Sequence, residues 1–152
     1  MRKTIIVLVC ALFMWSCNQS PDTTTESSGE EIENHDDHHF DENEPLELNN
    51  GARWIVNDEM KPFVQKGHEL VNAFIAERRN DYQDLAEQLT VQNNQLIQSC
   101  TMEGKSHDEL HKWLHPHLEL VQELGSKDNG AEADKIVVEI QQSYLEYQKY
   151  FD

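Results

Sequence analysis

Basic residues are scarce in this chain. Twelve Lys and Arg stand against 29 Asp and Glu, a formal charge of −17 over 152 residues. Phosphates would be repelled, which excludes DNA, RNA or an anionic lipid surface as the main partner. Cysteine is scarce too: three thiols are too few for a disulfide framework in a chain this long. Apolar residues reach only 38%, so part of the chain is expected to lie outside any core. No β-rich segment of consequence occurs, and there is no internal repeat beyond helical periodicity. Catalytic signatures are missing as well. Without a P-loop, G-x-S-x-G or C-x-x-C-H, phosphoryl transfer, serine hydrolysis and a c-type haem have no support. His107-Asp108-Glu109-Leu110-His111 shares the outline of H-E-x-x-H, but Asp108 stands where the general-base Glu belongs, which argues against a metalloprotease. The expectation is a protein that is not an enzyme.

Long apolar runs are equally rare. The run that stands out, Ile5 to Trp15, follows Arg2 and Lys3 and is about half the ~20 residues needed to span a bilayer. It fits a signal-peptide core. The segment ends Met14-Trp15-Ser16-Cys17, which resembles a bacterial lipobox of the loose kind common in the Bacteroidota. The competing reading is an ordinary secretory signal with an incidental Cys17. The resemblance implies that residues 1–16 are removed and that Cys17 is lipidated. It also implies a lipid anchor in the cell envelope, with the outer membrane facing the periplasm as the expected site. Several acyl chains suffice for stable anchoring where one does not. Cys10 would leave with the signal, so Cys100 is the lone thiol besides the anchor.

Residues 17–45 form the next unit, a lipidated acidic tether. From position 18 on it holds ten acids and no Lys or Arg, with Pro21, Pro45 and a Ser/Thr-rich stretch from Thr23 to Ser28. Such a segment cannot bury enough apolar surface to offset ordering entropy, which predicts disorder. As a coil it reaches roughly 30 Å. Within it, His35-Asp36-Asp37-His38-His39 is a cluster that could capture Zn²⁺ or Cu²⁺ loosely, or simply a polar linker.

Residues 46–152 keep ten basic residues against nineteen acids, a net of −9, and their apolar positions recur with period 3.6. Helix 1 is expected from about Asp58 to Arg79, with Asn57 as N-cap and Pro62 in the first turns. Its apolar face comprises Met60, Phe63, Val64, Val71, Phe74 and Ile75. Asn80-Asp81 reads as a stop and a new cap. Helix 2 is expected from Tyr82 to Cys100 on Tyr82, Leu85, Leu89, Leu96 and Ile97, with Gly104 as its stop. Ser106 and Glu109 read as a capping box opening helix 3, whose stripe is Leu110, Trp113, Leu114, Leu118, Val121 and Leu124. Pro116 should kink or split this helix. Asn129-Gly130 is a turn signal, and helix 4 runs from Ala131 to Tyr150. Connections this short predict an all-α, antiparallel up-down-up-down four-helix bundle behind the tether.

That topology gathers Met60, Cys100, Met102, His107, His111, Tyr147 and Tyr150 near one end of the bundle. His107, His111 and His115 are spaced i, i+4, i+8 along one flank of helix 3. His117 falls inside the apolar stripe, and His68 lies at a similar level on helix 1. Cys100 and Met102 form a soft pair that suits Cu(I), and His107 and His111 could complete a site across the turn. Met60, His117 and His68 are further candidates. The competing readings are a solvated histidine flank, a hydrogen-bonded core histidine at 117 and packing methionines.

Two stretches, Leu48–Trp54 and His107–Val121, resemble small lipoproteins of the same bacterial group. Asp58-Glu59-Met60 and Tyr147-Gln148-Lys149-Tyr150 are distantly similar to the periplasmic four-helix b-type cytochrome. In that family a Met on the first helix and a His on the last hold haem. Met60 matches the former, but Tyr147 stands in the place of the His, which argues against haem. The expectations are therefore a lipoprotein that binds a metal, copper or else zinc, for capture or delivery. A scaffold that presents a helix face to an envelope partner is the alternative, and a haem or redox carrier ranks third.

Overall fold

The computed structural model describes residues 44–127 and 130–152. The expected signal segment, Cys17 and the part of the expected tether up to residue 43, with His35, His38 and His39, lie outside the described residues. The fold is all-α. Four helices follow one another as α1 (Lys61–Ala76), α2 (Tyr82–Ser99), α3 (Lys105–Gly125) and α4 (Ala131–Tyr150). They pack as a ring, α1 on α2, α2 on α3, α3 on α4 and α4 back on α1. The start of α1 lies beside the ends of both α2 and α4: Asn57 bonds to Ser99, and Trp54 pairs with Phe151. Among the described residues there is no strand, only isolated bridges.

The period-3.6 stripes meet in one core. Met60, Val71, Leu85, Leu89, Leu96, Leu110, Leu124, Ile140 and Tyr144 are all but inaccessible to solvent. Two expected core residues are not there. Ile75 is 38% and Ile97 45% exposed, because Phe74 and Leu96, one position earlier on each helix, take the inward seat. Three residues with little apolar surface are buried instead: Gly67, Asn93 and Glu109.

Helix ends depart from expectation for traceable reasons. Asn57 does not cap α1. Its amide donates to the Ser99 carbonyl (2.8 Å), and its Oδ1 accepts the Thr101 N–H (3.2 Å), so it clamps the end of α2. Residues 58–60 are a turn, and α1 begins at Lys61 with Pro62 in its first turn, where no helical bond is lost. At the other end the stop is not Asn80-Asp81. Arg78 adopts φ +55°, and the Arg79 N–H returns to the Phe74 carbonyl at 3.1 Å, the closure that glycine usually supplies. Asp81 does take the N-cap position of α2, but its carboxylate is held by Arg79. Gly104, expected as a stop, is the N-cap residue of α3 at φ +62°. The Ser106–Glu109 capping box does not form: the Ser106 hydroxyl donates to the Glu103 carbonyl, and Glu109 is engaged elsewhere. Pro116 sits exposed within an unbroken α3, so it does not split the helix.

The segment before α1 is a strap. Trp54 and Val56 are buried, and Trp54 exchanges backbone bonds with the other chain end, its N–H to the Tyr150 carbonyl (2.7 Å) and its carbonyl to the Asp152 N–H (2.9 Å). The Trp54 indole donates to the Glu47 carbonyl (2.7 Å). Glu47 in turn donates its N–H to the buried Glu109 carboxylate (2.8 Å). Lys112 completes the fastening, reaching Glu109 at 3.0 Å and Glu44 at 3.4 Å.

Candidate metal centre

The three histidines on the flank of α3 form a ladder. Four residues advance a helix by a little more than one turn, so His107, His111 and His115 stand one above another. Their rings contact edge to face, with centroids 4.4 Å apart for His107–His111 and 4.8 Å for His111–His115. The nitrogens face each other: His107 Nε2 lies 3.1 Å from His111 Nε2, and His111 Nδ1 lies 2.8 Å from His115 Nε2. The middle ring therefore engages a neighbour through each of its nitrogens. All three side chains are partly open to solvent.

The sulfur residues expected as ligands adjoin the ladder in sequence and take packing positions. Cys100 is the C-cap residue of α2, half-buried, with its N–H on the Ile97 carbonyl. Cys100 and Met102 both pack against the core, and Met60 is wholly buried in it. Among the described residues, no group of three or more His, Cys, Asp or Glu side chains is gathered as a cation site.

His117 faces the opposite way, into the bundle. It is fully buried, and its Nδ1 meets the Ser143 hydroxyl at 3.0 Å while its Nε2 has no hydrogen-bond partner among the described residues. Burial holds its pKa down to about 4. Its ring stacks on Trp113 (4.8 Å) and meets the edge of Tyr144 (4.6 Å). His68, half-buried on α1, stacks on the same Tyr144 ring at 5.5 Å and shares a contact with Gln148. The two histidines thus pack on a common tyrosine, as the core reading of His117 requires. At the end of α4, Tyr147 is buried against Trp113 and Phe151, and burial together with Asp152 pushes its hydroxyl up to about 12. Tyr150 is partly buried, and its carbonyl anchors the strap.

The sequence reading missed Glu109. Its place on the edge of the stripe, two positions from His107, was the available signal, but a carboxylate there also fits a cap. Comparison with known protein families, with curated proteins and with solved structures finds no match to this chain. Among the described residues, no helix is long and apolar enough to cross a membrane.

Proposed function

We propose that this is an envelope lipoprotein, anchored through Cys17, whose helical bundle binds a transition-metal ion for capture or delivery at the head of α3. The observation that carries the metal reading is the 3.1 Å between His107 Nε2 and His111 Nε2. Two imidazoles that share an ion at about 2.0–2.1 Å each hold their nitrogens roughly 3 Å apart. Imidazole is a borderline ligand, which favours Cu²⁺ or Zn²⁺, while Cys100 and Met102 close by in sequence would favour Cu(I). The function is non-enzymatic, and the acidic surface suits attraction of cations.

Titration calorimetry with CuSO₄ and with ZnSO₄ tests this. The mature chain should bind one ion, and the His107→Ala/His111→Ala variant should lose it. Retention in Cys100→Ser/Met102→Leu assigns the site to nitrogen, whereas loss assigns it to the soft pair. A wild-type chain that takes up neither ion, nor Cu(I) under reducing conditions, overturns the reading.

The alternative, a scaffold for an envelope protein partner, has one observation in its favour. A groove of about 560 Å³ between α2 and α3 is lined by Ala86, Thr90, Val121 and by Val91, which is 55% exposed. A metal-free chain that retains a partner dependent on Val91 would support it.

A further inference from the structure

Outside the expected signal segment, the longest stretch of this chain without a charged side chain runs from Gln88 to Met102 and covers the last three turns of α2. Charged residues make up 27% of the sequence, so fifteen successive neutral positions set this helix apart from the other three. The solvent side of the stretch is a stripe of Thr90, Val91, Asn94, Ile97 and Gln98, all exposed. Val91 and Ile97 are the large apolar side chains that α2 leaves in water, at 55% and 45% exposure. The stripe is symmetric about Asn94. Val91 and Ile97 lie three positions to either side of it, and Thr90 and Gln98 lie four. Three and four are the spacings that keep side chains on one face of a helix. Across the groove between α2 and α3, Val121, Gln122 and Gly125 extend the neutral surface.

We infer that the exposed face of α2 is a self-association surface, on which two copies of this chain pack α2 against α2, antiparallel, with the two-fold axis at Asn94. A two-fold interface must be self-complementary, each patch meeting its own copy. Apolar groups meet that condition, and so do neutral amides, which both donate and accept. Carboxylates do not, so two copies of an acidic chain approach most closely where none intervenes. In the antiparallel register, each residue comes level with the one equally far beyond Asn94 in the other copy. Val91 comes level with Ile97 of the partner subunit, Thr90 with Gln98 of the partner subunit, and Glu87 with Thr101 of the partner subunit. In a parallel pair Glu87 would face its own copy, and two like charges would be opposed. The neutral part of α2 is about 18 Å long at 1.5 Å per residue. It therefore covers less than the ~800 Å² per partner of a standard interface, and association in free solution is weak. Confinement of anchored copies to one membrane raises their effective concentration. The inference is independent of the metal reading.

Disulfide trapping in the mature chain, with Cys17→Ser and Cys100→Ser to remove other thiols, tests the register. EDTA is present throughout, so that a shared metal ion cannot mimic an interface. Antiparallel helices 8–10 Å apart place the position 94 Cα about 4–6 Å from its own copy, within disulfide reach. Asn94→Cys should therefore cross-link to itself on oxidation, and Val138→Cys, similarly exposed on α4 at 49%, should not. A mixture of Val91→Cys and Ile97→Cys should yield the mixed dimer in preference to either homodimer. Sedimentation equilibrium reads the chemistry of the face. Asn94→Glu, which opposes two carboxylates on the axis, should weaken dimerisation by about 100-fold. An equal mixture of Asn94→Glu and Asn94→Lys should recover it, a rescue that misfolding would not allow. Equal cross-linking at positions 94 and 138 overturns the inference. So does a preference of Val91→Cys and Ile97→Cys for homodimers, which indicates a parallel pair. A chain that sediments as a monomer at every concentration, unaffected by charge at position 94, overturns it as well.

Discussion

The buried carboxylate of Glu109 accepts the backbone N–H of Glu47, 62 positions earlier, at 2.8 Å. Its second oxygen receives the Lys112 ammonium at 3.0 Å, and both side chains are nearly sealed from solvent, at 2% and 8% exposure. Burial alone would lower the lysine's pKa, but Glu109 and Glu44 outweigh it and hold the ammonium above its usual value. This junction fastens the strap to α3 close to the point where the acidic segment ends.

Glu109→Gln should therefore cost about 3 kcal/mol in urea unfolding, because it leaves a buried ammonium facing a neutral amide. Glu109→Gln combined with Lys112→Met should cost less than Glu109→Gln alone, since no unpaired charge remains. Equal costs for the single and double variants would show that Lys112 escapes to solvent and that the pair is not sealed.

Acid should weaken the fold through His117. In the folded chain burial holds this imidazole near 4, against 6.5 when exposed. Between those values the unfolded chain binds a proton that the folded chain refuses, so stability rises with pH across the window and is lost as pH falls through it. Fully developed, near pH 4, the effect is roughly 3 kcal/mol. The difference in unfolding free energy between wild type and His117→Gln, measured from pH 7 to pH 4, should shrink by about that amount. A parallel pH dependence in the two proteins would show that the imidazole gains access to water.

The helices were legible because their burial is periodic. Leu85, Leu89 and Leu96, or Ile136 and Ile140, recur at helical spacing and are buried as that spacing demands. Ile75 and Ile97 misled because an apolar neighbour at i−1 competes for the same face, and only packing decides between them. The ends were less legible. Asn57 and Glu109 carry the right chemistry for caps, yet their polar groups serve partners 42 and 62 positions away, and no local pattern encodes that. The i, i+4, i+8 spacing of the ladder could be read directly. Which nitrogen faces which could not, since it depends on ring torsions set by packing.

Gly67 exists for Tyr144. A Cβ at position 67 would collide with the tyrosine hydroxyl oxygen and lie 2.7 Å from the carbon that bears it. The hydroxyl is buried without a hydrogen-bond partner among the described residues. Gly67→Ala should destabilise by about 1–3 kcal/mol through overpacking between α1 and α4. Tyr144→Phe should be close to neutral or stabilising, because it removes an unpartnered polar atom. In that background Gly67→Ala should cost less, a coupling that a double-mutant cycle on thermal unfolding would read. Strict additivity would mean that the ring moves aside freely in the wild type.

Pro116 offers the remaining test, and it bears on the ladder. The ring lies exposed between His115 and His117, inside a helix that runs unbroken from Lys105 to Gly125. Proline has no N–H, so the Lys112 carbonyl lacks its helical donor at this turn, and the proline ring crowds that same carbonyl. Because residue 116 faces solvent, an alanine there leaves no cavity. Pro116→Ala should restore the missing bond and raise the unfolding free energy by about 1–3 kcal/mol. Relief of the crowding would also let the turn that carries His115 close against the turn that carries His111. If α3 owes its local path to the proline, metal affinity should shift while stability rises. If α3 already has its relaxed path, stability should rise and affinity stay as it was. A loss of stability instead would show that the path the proline imposes on α3 is required to seat Trp113 and His117 against α4.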